Sequence, residues 1–282
     1  MNQKQPRTII TYLIDGIPNG LRTIELSNWI GKGICFPRAK MKEALARSEL
    51  QSPGLYFLVG GERQGVQSVY IGEAEILSKR VSQHDKKDFW NLVICFSSKD
   101  QALTKADVKF LESRAVDLAV KAGQFDLMNS VNPVLNNLPE YQAASMEEFL
   151  SNIRTLVSAL GYPVMESLTE PGEEQLDTYS IQSKDAKAQG MYNENGFVVS
   201  KGSTVSSECT KSCPDNIKVM KEKLIAQGIL QSIGTHHEFV RDHAFSSPSM
   251  AAGIVCGSSQ NGWTRWKSPS GKTLDEMVRI DG

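Results

Sequence analysis

Gly54-Leu55-Tyr56-Phe57-Leu58-Val59-Gly60, the loop GERQGVQ (61–67), Ser68-Val69-Tyr70-Ile71-Gly72-Glu73-Ala74 and EILSKRVSQH (75–84) form the stretch on which the fold turns. Two β-rich runs around a polar, glycine-containing loop predict a hairpin with a long connection. The following segment predicts a short helix carrying Arg80 and His84 one turn apart. Downstream, NLVICFSS (91–98) predicts a third strand, and TKADVKFLESRAVDLAVKA (104–122) a long helix. Thr104 as N-cap, Asp107 three residues on and Gly123 at the end set its limits. This order gives an α+β class, with a small antiparallel or mixed three-stranded sheet flanked by helices.

Working outward, residues 1–50 read as a strand-rich extension. TIITYLID (8–15) and RTIELS (22–27) are β-rich, with Asn19-Gly20 in the turn between them, and AKMKEALARSEL (39–50) reads as a helix. Pro53-Gly54 breaks that helix and opens the central segment, 51–140. Residues 145–160 predict a further helix. GYPVMESLTEPGEEQLDTYSIQ (161–182) is acidic and holds no Lys or Arg. That shift in composition places a boundary near 165–183, so that 141–182 reads as helix and acidic linker. Residues 183–282 then form a separate α+β unit. It has a hairpin over 190–203 turning at Asn195-Gly196, a helix over 215–228, strand-like 237–245, a short helix in 246–257 and a closing hairpin over 262–274.

The 282 residues carry a net charge of −1, so no overall basic field marks a nucleic-acid binder, although a local patch suffices for one. No apolar run reaches membrane-spanning length. Asp15 interrupts the N-terminal apolar run and no small-residue cleavage site follows it, so the expected compartment is the cytoplasm. The five cysteines are scattered, against a disulfide framework. Cys209 and Cys213, with His236, His237 and His243, are the one candidate zinc set, and their C-x3-C spacing is not the usual one.

On the long helix, Val108, Leu111, Ala115, Leu118 and Ala119 make one apolar arc, and Glu112 falls within it. A carboxylate on a core-facing stripe needs a cation, whether a metal ion or an arginine; the alternative is an edge position that reaches water or pairs with a Lys or Arg. Tyr56 and Tyr70, on adjacent predicted strands, are each ordinary strand residues when taken alone. Arg80 alone reads as a solvated surface group.

Together, Gly54-Leu55-Tyr56, Tyr70-Ile71-Gly72, Arg80 ten residues after Tyr70, Glu112 and Asn129 in FDLMNSVNP resemble the GIY-YIG nuclease superfamily. The YIGEAE opening, the Arg80/His84 pair and DFWNLVICFSSKD (88–100) are similar to a bacterial subgroup with a strand-rich N-terminal extension and a C-terminal domain of unknown function. Leu55 stands in place of the family isoleucine, and the loop between the two tripeptides is longer than in compact members.

The resemblance implies an endonuclease that hydrolyses phosphodiesters in nucleic acid, DNA first, with one Mg²⁺ or Mn²⁺. Glu112 is the implied metal ligand. Arg80 grips the scissile phosphate, Tyr56 acts as general base and Tyr70 positions water or phosphate. Phenol ionises near pH 10 when unperturbed, so Arg80 and the metal are expected to pull Tyr56 down. His84 is a competing base. Gly72 is expected to let the backbone approach closely beside Tyr70, with Gly54 supporting the first motif. Asn129 is expected to hold the tyrosine strand or the metal shell, with Asn132 and Asn136 as rivals. In the last hairpin, alternation places Trp263 and Arg265 on one face and Trp266 on the other; with Lys267 and Lys272 they offer a nucleic-acid surface or simply a core tryptophan among solvated charges. The rival reading of the whole chain is a non-enzymatic nucleic-acid-binding or regulatory protein on the same scaffold, and a third has the C-terminal unit docking a protein partner.

Overall fold

The computed structural model describes residues 6–63, 66–131, 133–134, 136–168, 178–183 and 185–279. The chain is α+β and divides into two compact units, Met1–Glu166 and Ser167–Gly282. The division falls where the composition shifts; the centre of the acidic linker lies outside the described residues.

In the first unit the elements run β1 (Ile9–Leu13), β2 (Arg22–Leu26), β3 (Gly31–Pro37), α1 (Met41–Leu45), β4 (Gly54–Arg63), β5 (Val66–Ala74), α2 (Leu77–Gln83), β6 (Trp90–Ser98), α3 (Lys105–Ala122), β7 (Asp126–Leu127) and α4 (Glu140–Ala159). The sheet has seven strands rather than three, in the order β1-β2-β3-β6-β4-β5-β7. Every pairing is antiparallel except β5 with β7. The N-terminal extension is therefore part of this sheet, because β3 pairs with β6 along its whole length, from Gly31↔Ser98 to Pro37↔Leu92.

The central strands are covered on both faces, which is why they read as continuous apolar runs. Leu55, Phe57 and Val59 of β4 pack with α3 and α4, whereas Tyr56 and Leu58 pack with Leu77 and Val81 of α2. The same alternation sends Cys35 of β3 to the first core and Phe36 to the second. Helix α3 is bounded as the sequence predicts: Thr104 and Asp107 form a capping box and Gly123 closes the helix at φ 61°.

Two N-terminal-unit expectations are corrected. The helix expected over 39–50 is broken into a 3-10 turn at Arg38–Lys40, α1, and a second 3-10 turn at Ser48–Gln51. The helix expected over 145–160 is present as α4 but begins earlier, at Glu140, and Phe149, Leu150, Ile153, Leu156 and Val157 place one apolar stripe in the first core.

The second unit runs β8 (Tyr179–Gln182), β9 (Lys187–Asn193), β10 (Gly196–Val199), β11 (Thr204–Ser206), α5 (Asp215–Ala226), β12 (Leu230–Ile233), β13 (His236–Phe239), β14 (His243–Phe245), α6 (Pro248–Cys256), α7 (Gly262–Arg265) and α8 (Leu274–Val278). It has two sheets, β14-β10-β9-β8 and β11-β13-β12, so the single strand expected over 237–245 is two strands in different sheets. The β9–β10 hairpin is present, with Asn193 opposite Gly196. Of the closing hairpin only the second half forms: Asn261 caps the short α7, beyond which Lys267 bridges Thr273 in a tight antiparallel turn and also bridges Ser180 of β8. Trp266 is fully buried against Phe197, and its indole N–H donates to the Pro248 carbonyl at 3.0 Å. Trp263 is half-buried, edge-on to Tyr192, with the Arg279 guanidinium 4.0 Å above its ring. The alternating-face reading of the two tryptophans therefore fails, because both sit in or just after a helical turn.

If α4 is a core element of the first unit, Ile153→Ala should destabilise that unit by about 2–5 kcal/mol, the cost of a large-to-small core substitution. Denaturant unfolding followed on that unit checks this; a helix lying outside the core would show a negligible change.

Candidate functional site

The hairpin register brings the first motif against the second. Tyr56 lies opposite Gly72, and Leu58 opposite Tyr70. Tyr56 and Tyr70 thus share one face of the sheet, with ring centroids 6.1 Å apart. Tyr56 is fully buried and Tyr70 half-buried. A Cβ at Gly72 would lie 2.4 Å from the Tyr56 hydroxyl, so it is the Tyr56 ring, not Tyr70, that requires glycine here. Gly54 has a different reason: its Cβ would meet the Phe96 carbonyl of β6 at 2.1 Å.

Helix α2 is anchored by Leu77 and Val81, which leaves Arg80 exposed and brings His84, just past the helix end, beneath the sheet. His84 is buried, its Nε2 is 2.8 Å from the Tyr56 hydroxyl and its ring centroid is 5.1 Å from that of Tyr70. The distance lets either partner donate. The other ring nitrogen, Nδ1, is buried without a partner. Arg80 interacts with both tyrosine hydroxyls and donates to the Gln83 side chain at 3.2 Å.

Burial governs the ionisation of this pair. It pushes the Tyr56 phenol well above its ordinary value, and Tyr70 adds to that; Arg80 acts the other way and does not prevail. The expected lowering of Tyr56 is therefore not found in the protein by itself, because the cost of a buried phenolate exceeds the help of one guanidinium at the rim. Burial, with Lys87 and Arg80 nearby, lowers His84 to about 4. At neutral pH the pair is a phenol against an uncharged imidazole.

Glu112 comes to the same place from the other face. The outward edge of β5 is satisfied in succession. The Val69 carbonyl accepts from the Met128 backbone at 2.7 Å. Asn129 then completes both bonds of Ile71: its Oδ1 accepts from the Ile71 N–H at 3.1 Å and its Nδ2 donates to the Ile71 carbonyl at 2.8 Å. At the next outward position, the Glu73 backbone amide acts on the Glu112 carboxylate and lowers its pKa. Asn129 thus does for β5 what a neighbouring strand would do. Asn136 donates to the Ala106 carbonyl on α3 instead, and Asn132 lies outside the described residues.

Glu112 is half-buried rather than at the heart of the stripe. Its pKa is raised, first by burial and then by the facing Glu73 carboxylate; the Glu73 N–H, Arg80 and Lys109 act the other way. Glu73 was missed in the sequence, although alternation with Val69 and Ile71 puts it on the α3 side of β5. An open groove of about 430 Å³ borders the cluster, with Glu73, Lys79, Arg80, Gln83 and Lys105 among its walls.

The zinc candidates do not assemble. Among the described residues no group of three or more His, Cys, Asp or Glu side chains stands where it could hold a metal ion. Cys213 is buried beside Cys209, whereas His236 and His237 lie on β13 and His243 on β14, packed against Phe239 and Phe245.

Residues 179–278 match the model of a domain of unknown function, DUF4357. No curated protein and no solved structure matches the chain. Among the described residues no helix is long and apolar enough to cross a membrane.

The depressed pKa of His84 makes its contribution to stability pH-dependent. The folded state holds the imidazole neutral, so the unfolded chain binds the extra proton as pH falls from the ordinary value near 6.5 towards about 4. That stability is fully present above the upper value and lost across the window. Urea unfolding should show wild type losing more stability than His84→Gln between pH 7 and pH 4; parallel pH profiles would show that His84 is not held neutral.

Proposed function

We propose that the first unit is a GIY-YIG-type endonuclease, hydrolysing phosphodiester bonds in nucleic acid, DNA before RNA, with Mg²⁺ or Mn²⁺. One observation carries the reading: the paired strands and α2 gather Tyr56, Tyr70, Arg80 and His84 into one cluster, with Glu112 reaching it around the edge of β5.

The donor set suits a hard divalent cation. Glu112 and Glu73 face each other, and Mg²⁺ takes one or two carboxylates while keeping several waters. These two residues would hold the ion, which when bound supplies charge neutralisation for the leaving oxygen. The remaining work falls to the chain's own groups. Arg80, exposed at the groove, binds two oxygens of the scissile phosphate through its planar fork. Tyr70 positions the phosphate or the attacking water.

Tyr56 and His84 act as a pair rather than as rivals. In this reading the Tyr56 hydroxyl takes the proton of the attacking water while passing its own to His84 Nε2. The charge ends on the imidazolium, close to the phosphate where negative charge has accumulated. Holding His84 uncharged at neutral pH keeps its nitrogen available to accept. The relay also avoids a resting phenolate, which burial disfavours.

Purified full-length protein should cut supercoiled, branched or single-stranded DNA only with Mg²⁺ or Mn²⁺. Glu112→Ala and Tyr56→Phe should each lower the rate by roughly 10²–10⁴-fold, the range of an acid–base or charge-stabilising group. Binding without cleavage on every DNA and RNA substrate, unchanged by Glu112→Ala, would instead favour the non-enzymatic nucleic-acid-binding reading.

A further inference from the structure

We infer that Arg38, contributed by the N-terminal segment just after β3, is a positioning residue for the His84–Tyr56 pair, acting through Trp90; the inference rests on the nuclease reading above. The segment from His84 to Phe89 joins α2 to β6 and has no helix or strand of its own. Its carbonyls converge on one side chain. Arg38 donates to the carbonyls of Lys87 at 2.8 Å and Trp90 at 3.5 Å, and to that of Asp85. Its guanidinium also stacks 4.6 Å from the Trp90 ring centroid.

Trp90 carries the constraint inward. It is 2% exposed, and its indole N–H donates to the His84 carbonyl at 3.0 Å. The Lys87 N–H bonds the same carbonyl at 3.0 Å, so the backbone of His84 is held from two sides. The imidazole in turn lies 2.8 Å from the Tyr56 hydroxyl. A continuous line of contacts therefore runs from Arg38 through Trp90 and His84 to Tyr56.

Ion pairing does not account for this arrangement. The carboxylates of Asp85 and Asp88 lie 3.8 and 3.7 Å from Arg38 and are themselves largely exposed; such pairs contribute little. What the site uses is the shape of guanidinium: several fixed N–H donors in one plane, with a flat face that stacks on indole. Lysine offers a point charge and cannot reproduce both. The N-terminal strands thereby gain a role in the chemistry, because β3, separated from the hairpin by β6, delivers Arg38 to the loop between α2 and β6.

The test uses full-length Arg38→Ala and Arg38→Lys, checked for folding by thermal melts. Two readouts are taken: kcat and KM for nucleic-acid cleavage, and the NMR titration of the His84 ring. Both variants should lower kcat by roughly ten- to a hundredfold, the penalty of a loosened catalytic group, with KM unchanged. The His84 titration should move up from about 4 towards the ordinary histidine range. A folded Arg38→Ala protein with wild-type kcat and wild-type His84 titration overturns the inference. Should Arg38→Ala fail to fold, Trp90→Phe carries the same expectations, since it keeps an aromatic ring and removes the indole N–H. A wild-type chain that cuts no substrate would sink the nuclease reading on which the inference rests, whereas wild-type cleavage with an unmoved kcat and His84 in the variants would sink the Arg38 role alone.

Discussion

A phenol buried in a sheet must find a hydrogen-bond partner, and the 2.8 Å contact between Tyr56 and His84 meets that requirement. Much of the site's geometry follows from it. The ring fills the space over Gly72, so the second motif must end in glycine. His84 must sit just past the end of α2, and that sets the helix against the tyrosine face with Arg80 turned outward beside the groove. The same burial keeps both partners uncharged at neutral pH, which is why the proposed mechanism uses a shared proton rather than a resting phenolate.

The other half of the site depends on the unfinished edge of β5. A free strand edge presents unpaired backbone groups, and proteins cover such edges in various ways. Here β7 covers only Ser68 and Val69, and the Asn129 carboxamide completes Ile71. The next N–H, that of Glu73, is left for the carboxylate of Glu112. A full-length neighbouring strand would have paired that backbone and closed the passage by which a residue on the α3 face meets residues on the α2 face.

Much of this was legible in the sequence because strand pairing is local. Tyr56, Tyr70, Arg80 and His84 lie within one hairpin and the helix after it, and α3 announces both its ends through Thr104, Asp107 and Gly123. Asn129 was legible as a residue type near the site, though only the register tells it from Asn136. Strand β3 was not, since Gly31-Lys32-Gly33 and Pro37 interrupt an apolar run that is buried on both faces and so shows no alternation. Helix α4 starts after Pro139 without a side-chain cap, which hid its first turn. The direction of the Tyr56 shift depended on burial depth, a property of the assembled layers. Arg38 and Trp90 lie 52 positions apart and meet only through the β3–β6 pairing. In the second unit, the Trp-Thr-Arg-Trp pattern fits a strand as well as a helical turn, and Asn261 as N-cap decides for the turn.

The central claim is that two carboxylates and the tyrosine cluster form one metal-assisted phosphodiesterase centre at the β5 edge. Its most direct measurement is a Mn²⁺ titration of the full-length protein with a bound oligonucleotide, followed by electron paramagnetic resonance, for wild type and Glu112→Gln. The account predicts a single Mn²⁺ site in wild type that is lost in Glu112→Gln while the oligonucleotide stays bound. No Mn²⁺ uptake in wild type, or equal uptake by both proteins, would contradict it.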